Sequence, residues 1–533
     1  MNIKDHVRLL TRLLHIIFWM ILAYLAGDVG MGFYYIGFII TETLFVIFEG
    51  GLVQAVARMV AIRRSKGLHY NSGLVFRYGV LYSLLIGIAF GFIIWSFSSR
   101  IYGRAIGYLL PESVFAVMGI YFAIHMLKGC LRGYYYGKNN VMICLIAEVV
   151  QCVVMLALCP VMVIRLYRYG MNISGLLKNP LYANIGGAIG AVTAQCIGVV
   201  AAILVLIIGD RIAGNVFRNE YNSVKGVDNG RNITLTFLKV SLTYIGEHLL
   251  PVLTIVSILI MYVKKGSQSG TDIKEIFVRI GVFAGKYLLI LGAILAVFME
   301  FADREIKKIR TDVGREEHKN ARTRSVYLLR NTIMLLLPVM LLLIITADPL
   351  IKIFFAGRTS LGIKLIRQGG IAILLHGIIY MSKGVLNAIK FGRYSLVAAV
   401  SGYVVTMIAA AAMIGSDSNI SAIVIAYVIG LIVETAVSLF AFYRLIGFDP
   451  IDLAIRIGKI AVSGAVFAGM IAILDHFIVM NVIFFAIALI ISYAAYIVTL
   501  IVVKGVTVRD INSLNGTLIY YPLAFLGNMF MNR

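Results

Sequence analysis

The sequence predicts an all-α polytopic membrane protein, a chain of 533 residues that crosses the bilayer about fourteen times. Three observations predict it. Apolar residues make up 61% of the chain and charged residues only 14%, whereas soluble domains carry about 25% charged residues. A globular fold of that composition would lack the polar groups needed to cover its own surface. Apolar runs of roughly 20 residues, the length of a spanning helix, recur along the chain with short polar breaks between them. Strands of about ten residues with alternating polarity, the mark of a membrane β-barrel, are not seen. In lipid, a helix satisfies its backbone groups within one segment.

The spans fall near 9–27, 33–60, 74–98, 113–134, 141–164, 183–209, 234–263, 276–300, 326–347, 364–390, 394–414, 420–444, 457–478 and 480–503. The first run follows Arg8 and Arg12 as a signal peptide would. It lacks a small-residue cleavage site and a second run follows at once, so it reads as a permanent span. The breaks at 135–140 and 391–393 require tight helical hairpins.

Loops 61–73, 210–233, 301–325 and 444–459 are rich in Lys and Arg and fall on one side of the membrane in this count. The breaks at 27–32 and 415–419 are poor in positive charge. The basic side is therefore expected to be cytoplasmic, with both termini inside. The loop at 264–275, with Lys264, Lys265 and Lys274, is the exception. The same asymmetry accounts for the net charge of +23 without a nucleic-acid partner. Residues 506–531 mix Arg509 and Asp510 with Leu518, Tyr520, Tyr521, Phe525 and Phe530, as in a segment lying in the interface. Cys130, Cys144, Cys152, Cys159 and Cys196 lie in or beside spans and form no C-x-x-C pair. Neither a disulfide nor a metal site is expected from them.

One internal repeat stands out. KGCLRGYYYGKNN at 128–140 parallels KGVLNAIKFGRYS at 383–395, aligning Lys128 with Lys383, Gly129 with Gly384 and Gly137 with Gly392. Both copies close one helix and open the next. Internal duplication is the usual build of a secondary transporter, with the substrate path between the halves. It divides the chain into an N-terminal lobe at 1–209, a cytoplasmic linker at 210–233 and a C-terminal lobe at 234–445. Extra helices follow at 446–503, and an interfacial or cytoplasmic tail at 504–533.

An ionisable residue at the centre of a span costs roughly 2.5–3.5 kcal/mol on insertion scales, so it faces a wet cavity or a partner. Tyr121, His125, Lys128 and Arg132 follow one another at helical spacing and form one stripe; His376, Tyr380, Lys383, Asn387 and Lys390 form another. The repeat superposes Tyr121 on His376, His125 on Tyr380 and Lys128 on Lys383. Lys128 and Lys383 sit deep enough to face a cavity, while Arg132 and Lys390 are placed to snorkel to headgroups. Arg8, Arg12, His15 and Trp19 share a face of the first span. Glu42 and Glu49 share a face of the second, with Arg58 near its end. Glu148 and Gln151 lie in the fifth span, Lys239, Glu247 and His248 in the seventh, Arg279 and Lys286 in the eighth, and Glu434 in the twelfth. Lysines and arginines in a cavity suit an anionic substrate. The acids, Glu49, Glu148 and Glu247 foremost, suit a coupling proton or sodium ion, or simply hold the cations in place.

No soluble catalytic domain is visible. GVFAGK at 281–286 is one residue short of a phosphate loop, lacks the following Ser or Thr, and lies inside an apolar helix. H-E-x-x-H and Gly-rich dinucleotide turns are missing, and no enzyme activity or cofactor is expected.

Three stretches resemble a known family. AYLAGDVGMGFYYIGFIITETLFVIFEGGLVQAVARMVAIRRSKG at 23–67 resembles its first hairpin. LRGYYYGKNNVMICLIAEVVQ at 131–151 is similar to its R-G-Y-F-Q-G-x-x-N hairpin, with Tyr136 in place of the Gln and Glu148 and Gln151 in swapped order. ADPLIKIFFAG at 347–357 resembles its segment before the tenth helix. The family is the multidrug/oligosaccharidyl-lipid/polysaccharide (MOP) exporter superfamily, in its polysaccharide-transporter and MurJ-like branch, and the chain is most similar to stage V sporulation protein B-like members. The resemblance implies two pseudo-symmetric six-helix lobes around a central cavity, plus two C-terminal helices. It also implies alternating access, moving a polyprenyl-pyrophosphate-linked oligosaccharide or lipid II-type precursor across the plasma membrane. In lipid II flippases, arginines of the first, second and eighth helices line the cavity; Arg12, Arg58 and either Arg279 or Lys286 stand at roughly those places. The pyrophosphate would then meet Arg12, Lys128 and Lys383, and the sugar His125 and Tyr380. Two rivals remain at this point: a cation-coupled multidrug exporter of the same superfamily, and a membrane-embedded glycosyl- or acyltransferase.

Overall fold

The computed structural model describes residues 3–106, 112–212, 230–355, 357, 359–415, 419–477 and 481–506, and within these not the side chains of 3, 97–106, 247 and 477. Residues 213–229 of the expected linker at 210–233, and 507–533 of the expected tail at 504–533, lie outside the described residues.

The helices are α1 Ile3–Leu44, α2 Gly50–Ser65, α3 His69–Ile106, α4 Glu112–Gly137, α5 Val141–Leu177, α6 Leu181–Ile212, α7 Gly230–Gln268, α8 Ile273–Val282 and α9 Leu289–Gly314. They continue as α10 His318–Ile345, α11 Ala347–Phe354, α12 Thr359–Gly369, α13 Ala372–Ala388, α14 Gly392–Met413, α15 Ser421–Ile446, α16 Pro450–Phe477 and α17 Val482–Val502. Wide π turns at Phe45–Glu49 and Phe283–Leu288 join α1 to α2 and α8 to α9 without a break in the rod. No strand occurs among the described residues.

Twelve of these rods are long and apolar enough to cross a membrane, and thirteen when α12 and α13, bent by 48° across a short break, count as one broken span. The first rod, Lys4–Ser65, has 62 residues, about 93 Å at 1.5 Å per residue. That is far longer than a hydrocarbon core of about 30 Å. Gly27 breaks it, with φ 65 and ψ 177, a conformation essentially restricted to glycine because a Cβ would clash there. Each limb exceeds the roughly 20 residues a span needs. Counting the limbs separately gives the fourteen crossings that hydropathy predicts. The protein is a multi-pass α-helical membrane protein.

Several helices outrun their apolar runs. The run at 141–164 lies within α5, which continues to Leu177. Hydropathy reports contact with lipid, whereas helix length also depends on where caps and neighbours stop the rod. Lys178 closes α5 in the left-handed conformation, and Asn481 opens α17 by accepting from the amides of Ile483 and Phe484. The hairpins at both repeats are tight, as expected, but out of register. Gly137 is the last residue of α4, whereas Gly392 is the first of α14. The turns instead place Asn139 and Lys390 at positive φ.

The chain forms two compact units. One contains the described residues up to Gly285 with Ile414 and Gly415; the other contains Lys286–Met413 and the described residues from Asn419 on. In the first unit α5 packs along α6 and α3 along α4, through small residues. A Cβ on Gly91 would lie 2.6 Å from the Gly119 carbonyl oxygen, the close backbone approach that replaces hydrophobic driving force inside a membrane. A Cβ on Gly281 would overlap the Asp28 carbonyl, and one on Gly32 that of Phe277, so α1 and α8 also meet backbone to backbone. Phe33 and Phe277 stack beside this crossing at 4.0 Å. Hydroxyl groups bridge further helices: Tyr135 donates to the Leu206 carbonyl at 2.8 Å, and Tyr82 meets Thr234 at 2.7 Å. In the second unit α13 packs against α9 and α10, and α14 against α15. Tyr496 ties α17 to α10 by donating to the Met334 carbonyl at 2.8 Å.

Candidate functional site

The charged stripe of α4 is built into a polar network inside the first unit. His125 donates from Nδ1 to Glu49 Oε2 at 2.9 Å. Lys128 donates from Nζ to His125 Nε2 at 2.8 Å and to Gln151 Oε1 at 3.0 Å. Arg132 donates to Glu148 Oε1 at 3.0 Å and stands 3.8 Å from Glu49 Oε1. The network therefore ties the α1–α2 rod, α4 and α5 together. Spacing explains the convergence: His125, Lys128 and Arg132 share one face of α4, while Glu148 and Gln151 are adjacent on α5 at i and i+3.

Glu49 enters this network through local backbone features. It is the last residue of the π turn Phe45–Glu49. A π turn widens the rod by one residue and commonly marks a functional site. On the facing helix, a Cβ on Gly129 would lie 2.6 Å from Glu49 Cγ and 2.7 Å from Oε1. Glycine at 129 thus makes room for the carboxylate. Phe45 and Tyr121 flank the imidazole of His125, with ring centroids at 4.4 and 5.4 Å. Lys128 is 5% exposed and Glu49 likewise 5%. Two acids and two cations held this close in a low-dielectric interior offset each other's desolvation cost only because they are hydrogen-bonded.

Sequence reasoning singled out Glu49, His125, Lys128 and Glu148 separately; the structure brings them together. In this conformation the Lys128 ammonium is engaged on two sides. Arg132 departs from the expected snorkelling, because Glu148 and Glu49 hold it inside. His15 Nδ1 lies 3.1 Å from the Thr11 carbonyl and 3.1 Å from Cys152 Sγ, so that cysteine is a buried packing partner. Arg12 is half-buried on α1, and Arg58 is exposed on α2. Glu247 lies on α7 with its side chain outside the described residues.

The second unit carries its own polar positions. Lys286 is 2% exposed within the π turn Phe283–Leu288. Its stem packs against Gly362 of α12, where an added Cβ would be 3.2 Å from Lys286 Cδ. Arg279, the alternative eighth-span cation, is half-buried in the first unit and tied to Glu275 at 2.9 Å. Tyr380 donates to Asp303 Oδ1 at 2.6 Å, and Tyr427 meets His376 Nε2 at 2.8 Å. Lys383 is half-buried on α13 within electrostatic reach of Glu434 on α15. The π turns escape sequence reasoning, because a shift from i+4 to i+5 bonding leaves no compositional mark. The available signal is an ionisable residue in the middle of an apolar run, at Glu49 and again at Lys286.

Among the described residues, no cluster of His, Cys, Asp and Glu is suited to a metal ion. No protein-family model matches the sequence, and no curated protein matches it. Solved structures do match. An inward-closed lipid II flippase MurJ superposes with a TM-score of 0.64 at 15% identity, over 93% of this chain and 97% of that one. An inward-facing multidrug resistance MATE family transporter of the MOP superfamily gives 0.62 at 15% identity, over 84% and 95%. A MOP superfamily transporter from Pyrococcus furiosus, described as having a binding pocket of reverse polarity, gives 0.58 at 16% identity, over 83% and 94%. The chain has the fold of the MOP superfamily transporters.

Proposed function

We propose that this transporter is a flippase for a polyprenyl-pyrophosphate-linked oligosaccharide or lipid II-type envelope precursor. In this reading it sits in the plasma membrane with both termini cytoplasmic. Residues 1–209 and 234–445 form the lobes that alternate access, 210–233 links them, 446–503 adds two helices, and 504–533 is the tail. The observation that carries the reading is that four cations, Arg12, Lys128, Lys286 and Lys383, are buried or half-buried in apolar spans, where an ionisable residue is costly and marks a substrate path. Those residues, with Arg58 at the membrane edge, suit a pyrophosphate; His125 and Tyr380 suit the sugar nearby. Two helices after Ile446 add support. The match to the MATE transporter leaves about that share of the chain uncovered, whereas the match to the lipid II flippase covers more.

The likeness to MATE structures favours a second reading, a cation-coupled multidrug exporter in which Glu49, Glu148 or Glu247 carries a proton or sodium ion. It is the weaker one, because Glu49 and Glu148 are bonded to His125 and Arg132 and present no acidic surface for a cationic drug. Depletion in cells separates the two. The flippase reading expects lipid-linked precursor to accumulate in the inner leaflet. Normal precursor levels in cells without a compensating homologue, together with lost drug resistance, would transfer the assignment to the exporter.

A further inference from the structure

The contact between His125 and Lys128 sets a limit on protons. Lys128 Nζ and His125 Nε2 are 2.8 Å apart. A hydrogen bond of that length between two nitrogens holds one hydrogen between them. Lys128 as an ammonium supplies it, so Nε2 is an acceptor. His125 Nδ1 must then carry the ring proton, which it donates to Glu49 at 2.9 Å. An imidazolium at His125 would turn an N–H on Nε2 towards an ammonium, placing two cations in direct contact in a buried site. Two unit charges at about 4 Å repel by about 4 kcal/mol even at an effective dielectric of 20.

The surroundings are otherwise arranged for an imidazolium. Glu49 lies on Nδ1, and the rings of Phe45 and Tyr121 flank the imidazole. The ionisable groups around it are Glu42, Glu49 and His15 from the α1–α2 rod, Tyr121, Lys128 and Arg132 from α4, and Glu148 and Cys152 from α5. Among the described residues, Lys128 alone is bonded to Nε2. The same ammonium also donates to the neutral amide of Gln151, not to an acid. Its ammonium is thus hydrogen-bonded to two neutral acceptors, with Glu49 and Glu148 acting on it only through space, and can be drawn off by an anion.

We infer that His125 is a proton-binding site gated by Lys128, so that an anion which draws the lysine away is bound together with a proton. The inference rests on the anionic-substrate reading and specifies the ion bound with that substrate. The balance is simple. Lys128 keeps its three hydrogens and moves from Nε2 to the anion. His125 Nε2 takes one proton from solvent and becomes an imidazolium paired with Glu49. The added positive charge offsets the added negative charge. Linkage makes the effect reciprocal: protonation of His125 strengthens anion binding by the factor by which the anion favours protonation.

The test uses the full-length protein in lipid nanodiscs. Nitrogen-15 NMR of labelled histidine reads the tautomer, and loss of one signal in H125Q assigns it among the eight histidines. The wild type is expected as the neutral Nδ1–H form. A short-chain polyprenyl pyrophosphate is expected to convert it to the doubly protonated form. Calorimetry in buffers of different ionisation enthalpy should show close to one more proton taken up per probe bound in the wild type than in H125Q or K128Q. An Nε2–H tautomer or an imidazolium before the probe is added would overturn the inference, as would equal proton uptake in wild type and H125Q. If the probe does not bind at all, the anionic-substrate reading fails, and K128M carries the proton test. Removing the ammonium must then leave His125 doubly protonated at the pH where the wild type is neutral, and an unchanged neutral tautomer refutes the gating.

Discussion

The two copies of the K-G-x-L element put the same residues to different use. In the first unit, Gly129 admits the carboxylate of Glu49, and Lys128 lies beside a histidine bonded to that acid. In the second unit, Gly384 admits the end of Ile306, an apolar side chain. The residue three before Lys383 is Tyr380, whose hydroxyl donates to Asp303. The glycine and the lysine recur; the acid–histidine pair does not. A phenol bonded to a carboxylate holds its proton through the ordinary pH range, whereas an imidazole exchanges one near neutrality. The comparison teaches that the copies kept a packing rule and diverged in chemistry: the position three before the lysine is an acid-bonded imidazole in the first and an acid-bonded phenol in the second.

Substitutions in matched positions can break this contrast. The largest effect is expected from Glu49→Ala, which leaves His125 and Arg132 without their shared acid. Breaking one partner out of a buried ion pair costs about 3–5 kcal/mol. Unfolding in mixed detergent should show it, together with loss of transport. Tyr380→Phe removes a hydrogen bond to a carboxylate, worth about 1.5–3 kcal/mol, and should destabilise without altering how transport depends on pH. If it shifts the pH profile as strongly as His125→Gln does, the contrast between the copies is wrong.

Gly129→Ala and Gly384→Ala form the next pair. Each overpacks its site, at a cost of about 1–3 kcal/mol, but the neighbours differ. Glu49 cannot retreat without lengthening its bond to His125, so Gly129→Ala should change the His125 NMR signal as well as stability. Ile306 can swing aside, so Gly384→Ala should leave that signal unchanged. The smallest effect is expected from Tyr427→Phe, which deletes the bond to His376. A hydrogen bond between neutral groups inside a membrane protein averages about 0.6 kcal/mol, a small shift in the unfolding midpoint.

Much of the fold was legible because lipid imposes it. The described part of each apolar run from 9–27 to 480–503 is almost wholly helical, with 364–390 broken between α12 and α13, since a chain in hydrocarbon has no other way to satisfy its backbone. The break at Gly27 was legible as a polar gap between runs, though not its conformation. The site was legible only in part. The 4-3-4 spacing of Tyr121, His125, Lys128 and Arg132 identified the face of α4 that matters. It could not show that Glu49 and Gln151 come from two other rods to meet it, because those contacts span 76 and 23 residues. Arg132 was misread for the same reason: snorkelling is the expected fate of an arginine near a helix end, and the approach of Glu148 and Glu49 ties it into the network. Nor did the helix extensions past the apolar runs, as in α5 to Leu177, leave a signal in hydropathy.

The central claim is that the chain moves a pyrophosphate-linked glycolipid between leaflets. The direct measurement reconstitutes the purified protein into liposomes carrying a fluorescent polyprenyl-pyrophosphate disaccharide and follows its accessibility to an external quencher. The account predicts that the inaccessible half becomes accessible over time, at a rate that falls at least tenfold in the Lys128→Gln variant and in protein-free liposomes. Equal rates with and without protein, beside protein-dependent movement of a cationic drug in the same vesicles, would contradict it.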